Sequence, residues 1–290
     1  MEDKELTDYF DNFVIDGRKE QIEYIIATHG HQDHIAGFVG NKNTTGIFDY
    51  YKIDTIIDFP KTNKTTTIYN NYINTRDRAV QKGAAHYTAL QCFNNEDGAK
   101  RKYDLGGGVE MEILYNYYYE NNTNDENNNS VCVMFRYGEN QFLFTGDLEK
   151  EGEEKLVDFY EKNFDGLGHC KIFKAGHHGS YTSTTDKLLK AISPEYVVFT
   201  TCAGTSEYTS NPANQFPTQA TIDRIAQYTD NVYVTTKIID YKAGQFESFN
   251  GNIIFKFIDG ELFLNCSNNN TKLKDSEWFK GNRIIPINWE

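Results

Sequence analysis

Histidine in this chain is concentrated in two short stretches. The sequence has seven histidines, and three of them stand with an aspartate in THGHQDH, residues 28–34. Two more are adjacent in GHHGS, residues 176–180. Imidazole and carboxylate groups without thiolates suit Zn²⁺, and also Mn²⁺ or Fe²⁺. Because such a cluster rarely arises by chance in a histidine-poor chain, it predicts a metal site rather than an ordinary loop.

The spacing in the first cluster divides its ligands into two pairs. His29 and His31 are two residues apart, so their side chains point the same way from an extended segment. Asp33 and His34 follow one turn later, where DHIAGF can begin a helix. This spacing predicts one divalent ion bound by the first pair and a second, a few Å away, bound by the second pair.

Two later segments supply candidates to complete such a site. The predicted strand NQFLF leads into TGD, whose Asp147 is the candidate bridging carboxylate. The predicted strand CKIFK leads to His177, the candidate that completes the second ion's ligands. His29, Asp147 and His177 thus each follow a strand, and strand ends are where α/β folds tend to place active sites.

The remaining pattern predicts the elements that position these residues. Apolar spacing predicts a helix over 5–21 and a strand at EYIIAT, and a further helix is expected within 65–83. Charged or Ser/Thr-capped helices are predicted after Asp147 and after GHHGS. A hairpin is predicted around Asp259-Gly260, and the polar segment 120–129 is expected to carry little order. No repeat or long linker interrupts the chain, which predicts a single domain over residues 1–290.

Composition limits the classes of partner. The net charge of −13 argues against a broad basic face for nucleic acid, and KRK at 100–102 is interpreted as a solvated turn. Five isolated cysteines without a CxxC motif predict reduced thiols in a cytoplasmic protein. Without a signal peptide or an apolar run of about 18 residues, no membrane association is expected.

Three of the segments carry a family resemblance. THGHQDHIAG resembles the signature of the metallo-β-lactamase superfamily, and TGD resembles its bridging-aspartate motif. The stretches from NNNSV to TGD and from KIFKAGHHGS onward are similar to the metallo-β-lactamase domain of ComEC-type competence proteins. Stand-alone hydrolases and pneumococcal-type phosphorylcholine esterases are also similar. The resemblance covers about residues 5–237 and is most specific at 28–37 and 128–184.

The resemblance implies an α/β fold, the four-layer αββα sandwich. It also implies two divalent ions, with Zn²⁺ the first choice. The ligands that it implies are His29, His31, Asp33, His34, Asp147 and one histidine of GHHGS. His177 is preferred because it directly follows the strand.

The other roles follow from the same resemblance. His178 then contacts substrate or donates a proton, although the two histidines could exchange roles. Asp33 orients the hydroxide while it binds metal, and Ser180 and Asn129 are the candidate substrate contacts.

The chain departs from the family pattern in three places. A further histidine ligand of the first ion is expected before the aspartate motif, where this chain has Asn129 and Ser130. The family's HP pair is replaced by Phe216-Pro217. The first strands, with a DVGQGD-like stretch, are expected to be lacking, so a homo-oligomer that covers the exposed sheet edge is one alternative.

These residues predict hydrolysis by a hydroxide that bridges two metal ions. The preferred reaction is that of a phosphodiesterase or nuclease-like enzyme on a phosphoester-type substrate, although the charge does not support nucleic acid. One alternative is a hydrolase of small esters, lactones or thioesters, because ligands select a nucleophile and not a substrate. The other is a degenerate, metal-poor interaction module.

Overall fold

The computed structural model describes residues 9, 21–40, 45–205, 214–240, 242–258 and 260–290. The chain divides into two compact units. The N-terminal unit comprises residues 1–105 and 110–133, and the C-terminal unit comprises 106–109 and 134–290. The helix predicted over 5–21 lies outside the described residues except at Tyr9 and Gln21.

A parallel three-stranded sheet forms the centre of the N-terminal unit. Its strands run in the order β1 (Gln21–Ile26), β2 (Lys52–Asp58) and β3 (Ala85–Thr88). Ile25 pairs with Ile56, and both are buried, which is what continuous apolar runs give in a sheet covered by helices. The strand predicted at EYIIAT is therefore confirmed, and the chain leaves β1 toward His29.

Within 21–40 and 45–105, four helices accompany this sheet, and two of them begin at threonine caps. The Thr66 side chain accepts a hydrogen bond from Tyr69 N, and Thr88 forms a capping box with Gln91. The helix expected within 65–83 is confirmed. The helices are α1 (Gln32–Val39), α2 (Ile47–Tyr50), α3 (Thr67–Gln81) and α4 (Ala89–Asn94).

An antiparallel hairpin of β4 (Lys102–Asp104) and β5 (Val109–Ile113) follows. The interpretation of KRK as a solvated turn holds for Lys100 and is wrong for its other members. Lys102 begins β4, and Arg101 forms an ion pair with the buried Glu112.

The polar segment 120–129 is more ordered than predicted. Residues Glu126–Asn129 form a 3₁₀ helix, and all four of their side chains are buried. The prediction of little order is wrong there because hydrogen bonds offset the cost of burying these polar groups. Composition alone does not reveal such partners.

A larger mixed sheet forms the centre of the C-terminal unit. Its strands lie in the order β11-β10-β9-β8-β7-β6, with β7 to β10 parallel and β11 antiparallel to β10. The predicted strands before Asp147 and His177 are confirmed as β7 and β8. The bounds are β6 (Val133–Tyr137), β7 (Asn140–Phe144), β8 (Ile172–Lys174), β9 (Tyr196–Ala203), β10 (Val232–Asp240) and β11 (Gln245–Ser248).

The helices of this unit include those predicted after Asp147 and after GHHGS. Thr185 caps the second of them by accepting a hydrogen bond from Leu188 N. The bounds are α5 (Lys150–Asn163), α6 (Asp186–Ile192), α7 (Gln219–Ile225) and α8 (Glu277–Asn282).

The C-terminal hairpin is confirmed as β12 (Ile253–Ile258) and β13 (Glu261–Cys266), in which Ile258 pairs with Glu261. The predicted turn consists of Asp259 and Gly260, of which Asp259 lies outside the described residues.

Both units thus combine a sheet with helices, and the predicted α/β class is confirmed. All five cysteines are free thiols, and four of them are buried. Among the described helices, none combines the length and the apolar character needed to cross a membrane.

Candidate metal centre

Residues 28–34, called the metal loop below, comprise part of the connection between β1 and α1 and the first residues of α1. His29 is fully buried at the end of the strand. His31 stands at the N-cap with φ −72° and ψ 150°, which keeps the loop extended up to the helix. Asp33 lies in the first turn of α1, where the helix dipole favours a carboxylate.

The metal loop brings its two predicted ligand pairs to suitable distances. His29 Nε2 lies 3.0 Å from His31 Nδ1, and His34 Nε2 lies 3.3 Å from Asp33 Oδ2. Two ligands at about 2.0–2.2 Å from one tetrahedral Zn²⁺ are about 3.3–3.6 Å apart. The Asp33–His34 distance falls within this range, and the His29–His31 distance lies slightly below it.

Two hydroxyl groups orient the imidazoles of His29 and His34. Thr28 Oγ1 lies 3.2 Å from Nδ1 of His29 and 3.1 Å from Nδ1 of His34, and Ser130 Oγ lies 3.4 Å from Nδ1 of His29. A hydrogen bond at Nδ1 fixes the tautomer that leaves the Nε2 lone pair for a metal. Sequence reasoning noted Ser130 only as the replacement of a ligand.

A buried carboxylate holds the metal loop, and sequence reasoning missed it. Glu126 Oε1 accepts hydrogen bonds from Gly30 N at 2.8 Å and Thr62 Oγ1 at 2.7 Å. Its Oε2 accepts from Asn63 N at 2.8 Å and from Asn129 Nδ2 at 3.1 Å. We call these four bonds the Glu126 clamp. The predicted substrate contact Asn129 is buried, and its amide is directed to this carboxylate.

The surroundings of His31 favour its neutral form. Burial lowers the pKa of His31, and the positive charge of Lys64 lowers it further, whereas Asp33 acts in the opposite direction. Because only the neutral imidazole has a lone pair to offer, this environment suits a metal ligand.

In the C-terminal unit, residues 176–180 form what we call the histidine turn. Its two histidines differ in their distance from the buried Asp147. His178 Nε2 lies 3.4 Å from Asp147 Oδ2, and His177 Nε2 lies 4.0 Å from the same atom. By the distance expected between two ligands of one ion, His178 fits better than the preferred His177. The exchange of roles that the sequence left open is thus favoured by geometry.

His177 is instead oriented by an acid that sequence reasoning missed. Its Nδ1 lies 3.2 Å from Glu149 Oε1 and 3.2 Å from Thr182 Oγ1, and the Thr182 hydroxyl donates to Glu149 at 3.0 Å. A carboxylate at Nδ1 fixes the ring and directs Nε2 away from it.

The histidine turn has an unusual backbone. His177, His178 and Gly179 have φ values of 42°, 53° and 89°. The left-handed region costs a non-glycine residue about 1–2 kcal/mol, and such strain clusters at functional sites. Gly179 is required on packing grounds too, because a Cβ there would lie 2.7 Å from Pro217 Cβ and 2.8 Å from Phe199 Cε1.

Ser180, the predicted phosphoryl contact, is buried in this turn. Its backbone N donates to His177 O at 2.8 Å, and its Oγ lies 2.9 Å from Thr182 Oγ1. Its hydroxyl therefore takes part in the network that orients His177. Its contact with substrate stays a prediction.

Phe216, which replaces the family histidine, lies against the histidine turn. Its ring centroid is 6.2 Å from that of His177 and 6.1 Å from that of His178. Arg283 supports this segment by donating to Pro217 O at 2.9 Å and Gln215 O at 2.6 Å. A buried aromatic ring thus lies beside both imidazoles.

Comparison with known families bears on Asp147 and the histidine turn. Residues 123–200, which include Asp147 and the histidine turn, match the model of the metallo-β-lactamase superfamily. The resemblance to this superfamily is confirmed. The matched part of the chain also contains Glu126 and Glu149.

Three curated proteins are similar to parts of the chain. Competence protein ComA of Neisseria gonorrhoeae is 36% identical over 119 residues, which are 41% of this chain and 15% of that protein. ComE operon protein 3 of Bacillus subtilis is 24% identical over 183 residues, 62% of this chain and 20% of that protein. Recombination protein 2 of Haemophilus influenzae is 29% identical over 126 residues, 43% of this chain and 14% of that protein. The chain thus spans a fifth or less of each relative.

Among solved structures, CmlA, a diiron β-hydroxylase from Streptomyces venezuelae, is similar with a TM-score of 0.37 and 13% identity. The similarity covers 62% of this chain and 35% of CmlA.

Proposed function

We propose that this chain is a metal-dependent hydrolase that acts on phosphodiesters. The observation that carries the proposal is the pairing of donors in the metal loop, at 3.0 Å for His29 with His31 and 3.3 Å for Asp33 with His34. The match to the metallo-β-lactamase superfamily supports the same chemistry.

We propose two divalent ions, with Zn²⁺ first and Mn²⁺ or Fe²⁺ as alternatives. The donors are imidazoles and carboxylates, which all three metals accept. One ion is assigned to His29 and His31 and the other to Asp33 and His34. Asp147 and one histidine of the histidine turn complete the set, and His178 is the better candidate. When bound, such ions activate water and polarise the group under attack.

The chain's own residues supply orientation and proton transfer. In this proposal Asp33 directs the attacking water through its carboxylate. The histidine that does not bind metal donates a proton from Nε2 to the leaving oxygen. If that residue is His177, Glu149 at its Nδ1 fixes the ring for this transfer.

Two considerations favour phosphodiesters as the substrate class. The names of two relatives refer to competence and recombination, and the resemblance extends across the aspartate motif and the histidine turn. The net charge of −13 argues against nucleic acid as the substrate, so the proposal names only the phosphodiester linkage.

The free cysteines favour a reducing compartment, and we propose the cytoplasm. Self-association stays a prediction.

One observation favours a second candidate, hydrolysis of small esters, lactones or thioesters. Phe216 places an apolar ring 6.1 Å from the His178 ring. An aromatic surface there suits an ester with an apolar group better than a highly charged polymer.

The test is hydrolysis by the full chain loaded with Zn²⁺ or Mn²⁺. The substrates are bis-p-nitrophenyl phosphate, single-stranded DNA and a neutral lactone. We expect turnover of the diester, with Asp147→Ala lowering kcat/KM by at least about 100-fold. Metal analysis should give about two ions per chain in the wild type and fewer in the variant.

Asp165→Ala is the matched control, because this aspartate is exposed in a bend after α5. It should leave turnover and metal content unchanged. Turnover of the lactone alone would favour the second candidate. Fewer than about one ion per chain and no turnover would favour an interaction module.

A further inference from the structure

The segment after β2 lies next to the metal loop because of the Glu126 clamp. Thr62 Oγ1 and Asn63 N both donate to the carboxylate that also accepts from Gly30 N. The backbone at residues 62–63 is therefore separated from the metal loop by one carboxylate. Whatever follows Asn63 is positioned by the same bonds.

Lys64 follows, and its stem packs against the metal loop. A Cβ built on Gly30 would lie 3.3 Å from Lys64 Cγ, so the side chain passes over the glycine between His29 and His31. Lys64 N donates to Thr62 Oγ1 at 3.0 Å, which fixes where the stem begins.

Lys64 differs from three other lysines of the N-terminal unit in what its ammonium contacts. Lys61 Nζ donates to Glu120 O and lies 3.4 Å from Asn122 Oδ1. Lys82 and Lys102 form ion pairs with Asp49 and Glu110. Among the described residues, none forms an ion pair or hydrogen bond with the Lys64 ammonium. Half-buried and beside the metal loop, it presents a positive charge where the chain as a whole is acidic.

We propose that Lys64 binds a non-bridging phosphoryl oxygen of the substrate beside the His29 and His31 pair. Lysine suits this task because it offers a compact positive charge with three donors on a flexible stem. This proposal rests on the proposed function, for which it names a substrate-binding residue. It also explains how an acidic protein can hold an anionic diester without a broad basic face.

The binding test does not require turnover. Equilibrium dialysis of radiolabelled inorganic phosphate is performed against the zinc-loaded full chain and three variants. Lys64→Met removes the charge but keeps an apolar stem, and Lys64→Arg keeps the charge. Lys61→Met is the matched control, because it removes a lysine three residues away whose ammonium is already bonded. Metal content is measured for all four proteins.

We expect Lys64→Met to weaken phosphate binding about tenfold, which is typical for the loss of one charge-assisted hydrogen bond. Lys64→Arg should retain most of the binding, and Lys61→Met all of it, with equal metal content throughout. The proposal is overturned if wild type binds no phosphate. Equal binding by Lys64→Met and wild type, or equal losses in Lys64→Met and Lys61→Met, would also overturn it.

Kinetics separate this proposal from the proposed function. With bis-p-nitrophenyl phosphate, Lys64→Met should raise KM about tenfold and leave kcat within about twofold. The KM for a neutral lactone should not change. If no substrate is hydrolysed while Lys64→Met still weakens phosphate binding, the hydrolase proposal fails and the assignment of Lys64 stands.

Discussion

The metal loop and the histidine turn each present histidines beside a carboxylate, but their backbones are held differently. The metal loop is extended as far as the helix cap, with φ −72° at His31. The histidine turn has three successive residues with positive φ, from 42° to 89°. A buried glutamate supports each region, Glu126 in the N-terminal unit and Glu153 in the C-terminal unit.

The two glutamates act at different points. Glu126 binds Gly30 N inside the metal loop. Glu153 accepts from Thr184 N and Thr185 N, both at 2.7 Å, just beyond the histidine turn. The metal loop, which has ordinary backbone angles, therefore depends on the Glu126 side chain to hold its shape. The histidine turn, which has strained backbone angles, depends on packing and on the bonds of Glu153 to the residues that follow it. We expect mutations in the two regions to distinguish support by a side chain from support by packing.

The largest effect is expected from removing the Glu126 clamp. Glu126→Ala leaves two buried and two part-buried donors without their acceptor, so the free energy of unfolding should fall by about 5 kcal/mol. Zinc binding should weaken as well, because Gly30 stands between His29 and His31. Urea denaturation and metal titration measure the two consequences.

Glu139→Ala serves as the control for that variant, since Glu139 is exposed in the turn between β6 and β7. It should change neither stability nor zinc affinity. Unaltered zinc affinity in a folded Glu126→Ala protein would show that the metal loop keeps its shape without the clamp, and the contrast drawn above would fail.

The next effect concerns packing in the histidine turn. Gly179→Ala combines a φ of 89° with a Cβ 2.7 Å from Pro217 Cβ, and should lower stability by about 4 kcal/mol. Gly83→Ala is a matched control, because its φ is 110° but nothing lies within 4 Å of its Cβ. It should cost only about 1 kcal/mol. Equal losses in the two variants would assign the whole effect to strain and none to packing.

Glu153 makes the stability of the C-terminal unit depend on pH. Burial raises the pKa of Glu153 to about 7 from 4.5, although bonds from Thr185 N and Thr184 N and the charge of Arg224 oppose the shift. Between these values the folded protein keeps a proton that the unfolded chain has released. The contribution is therefore full below about pH 4.5 and is lost as the pH rises through about 7.

Over this range wild type should lose about 3 kcal/mol relative to Glu153→Gln, which cannot titrate. Urea denaturation in EDTA at several pH values measures the difference in slope, and keeps metal binding out of the comparison. Glu161→Gln on the same helix is exposed and should follow wild type. Parallel slopes for Glu153→Gln and wild type would contradict the assignment.

The sequence predicts the elements around both regions well, because their signals are local. Apolar runs identify β1, β7 and β8, and Ser/Thr caps identify the helix after the histidine turn. The pairing of His29 with His31 follows from alternation in an extended chain, which is also local. These features need no knowledge of distant residues.

What sequence reasoning missed depends on contacts across the fold. Glu126 stands in a run that reads as low-complexity, yet its partner Gly30 is 96 positions away along the chain. The positive φ of His177 and His178 has no decisive local signal, because histidine, although enriched among non-glycine residues with positive φ, adopts it in only a small minority of cases. Such positions become visible only when the buried polar groups are paired one by one.

The smallest effect on stability is expected at Phe216, whose ring lies against the histidine turn. Phe216→Leu keeps an apolar side chain and should cost about 1 kcal/mol of stability. Because the ring lies 6.1–6.2 Å from both histidine rings, its loss should raise KM for an aromatic ester several-fold and leave that for an aliphatic lactone unchanged. Phe159→Leu on α5 is the control for losing an aromatic ring elsewhere. A KM change equal for both substrates would mean that Phe216 only supports the turn. A KM change for the aromatic ester alone would indicate that the histidine turn, with Phe216, contacts the substrate. The metal loop differs in being held by the Glu126 clamp.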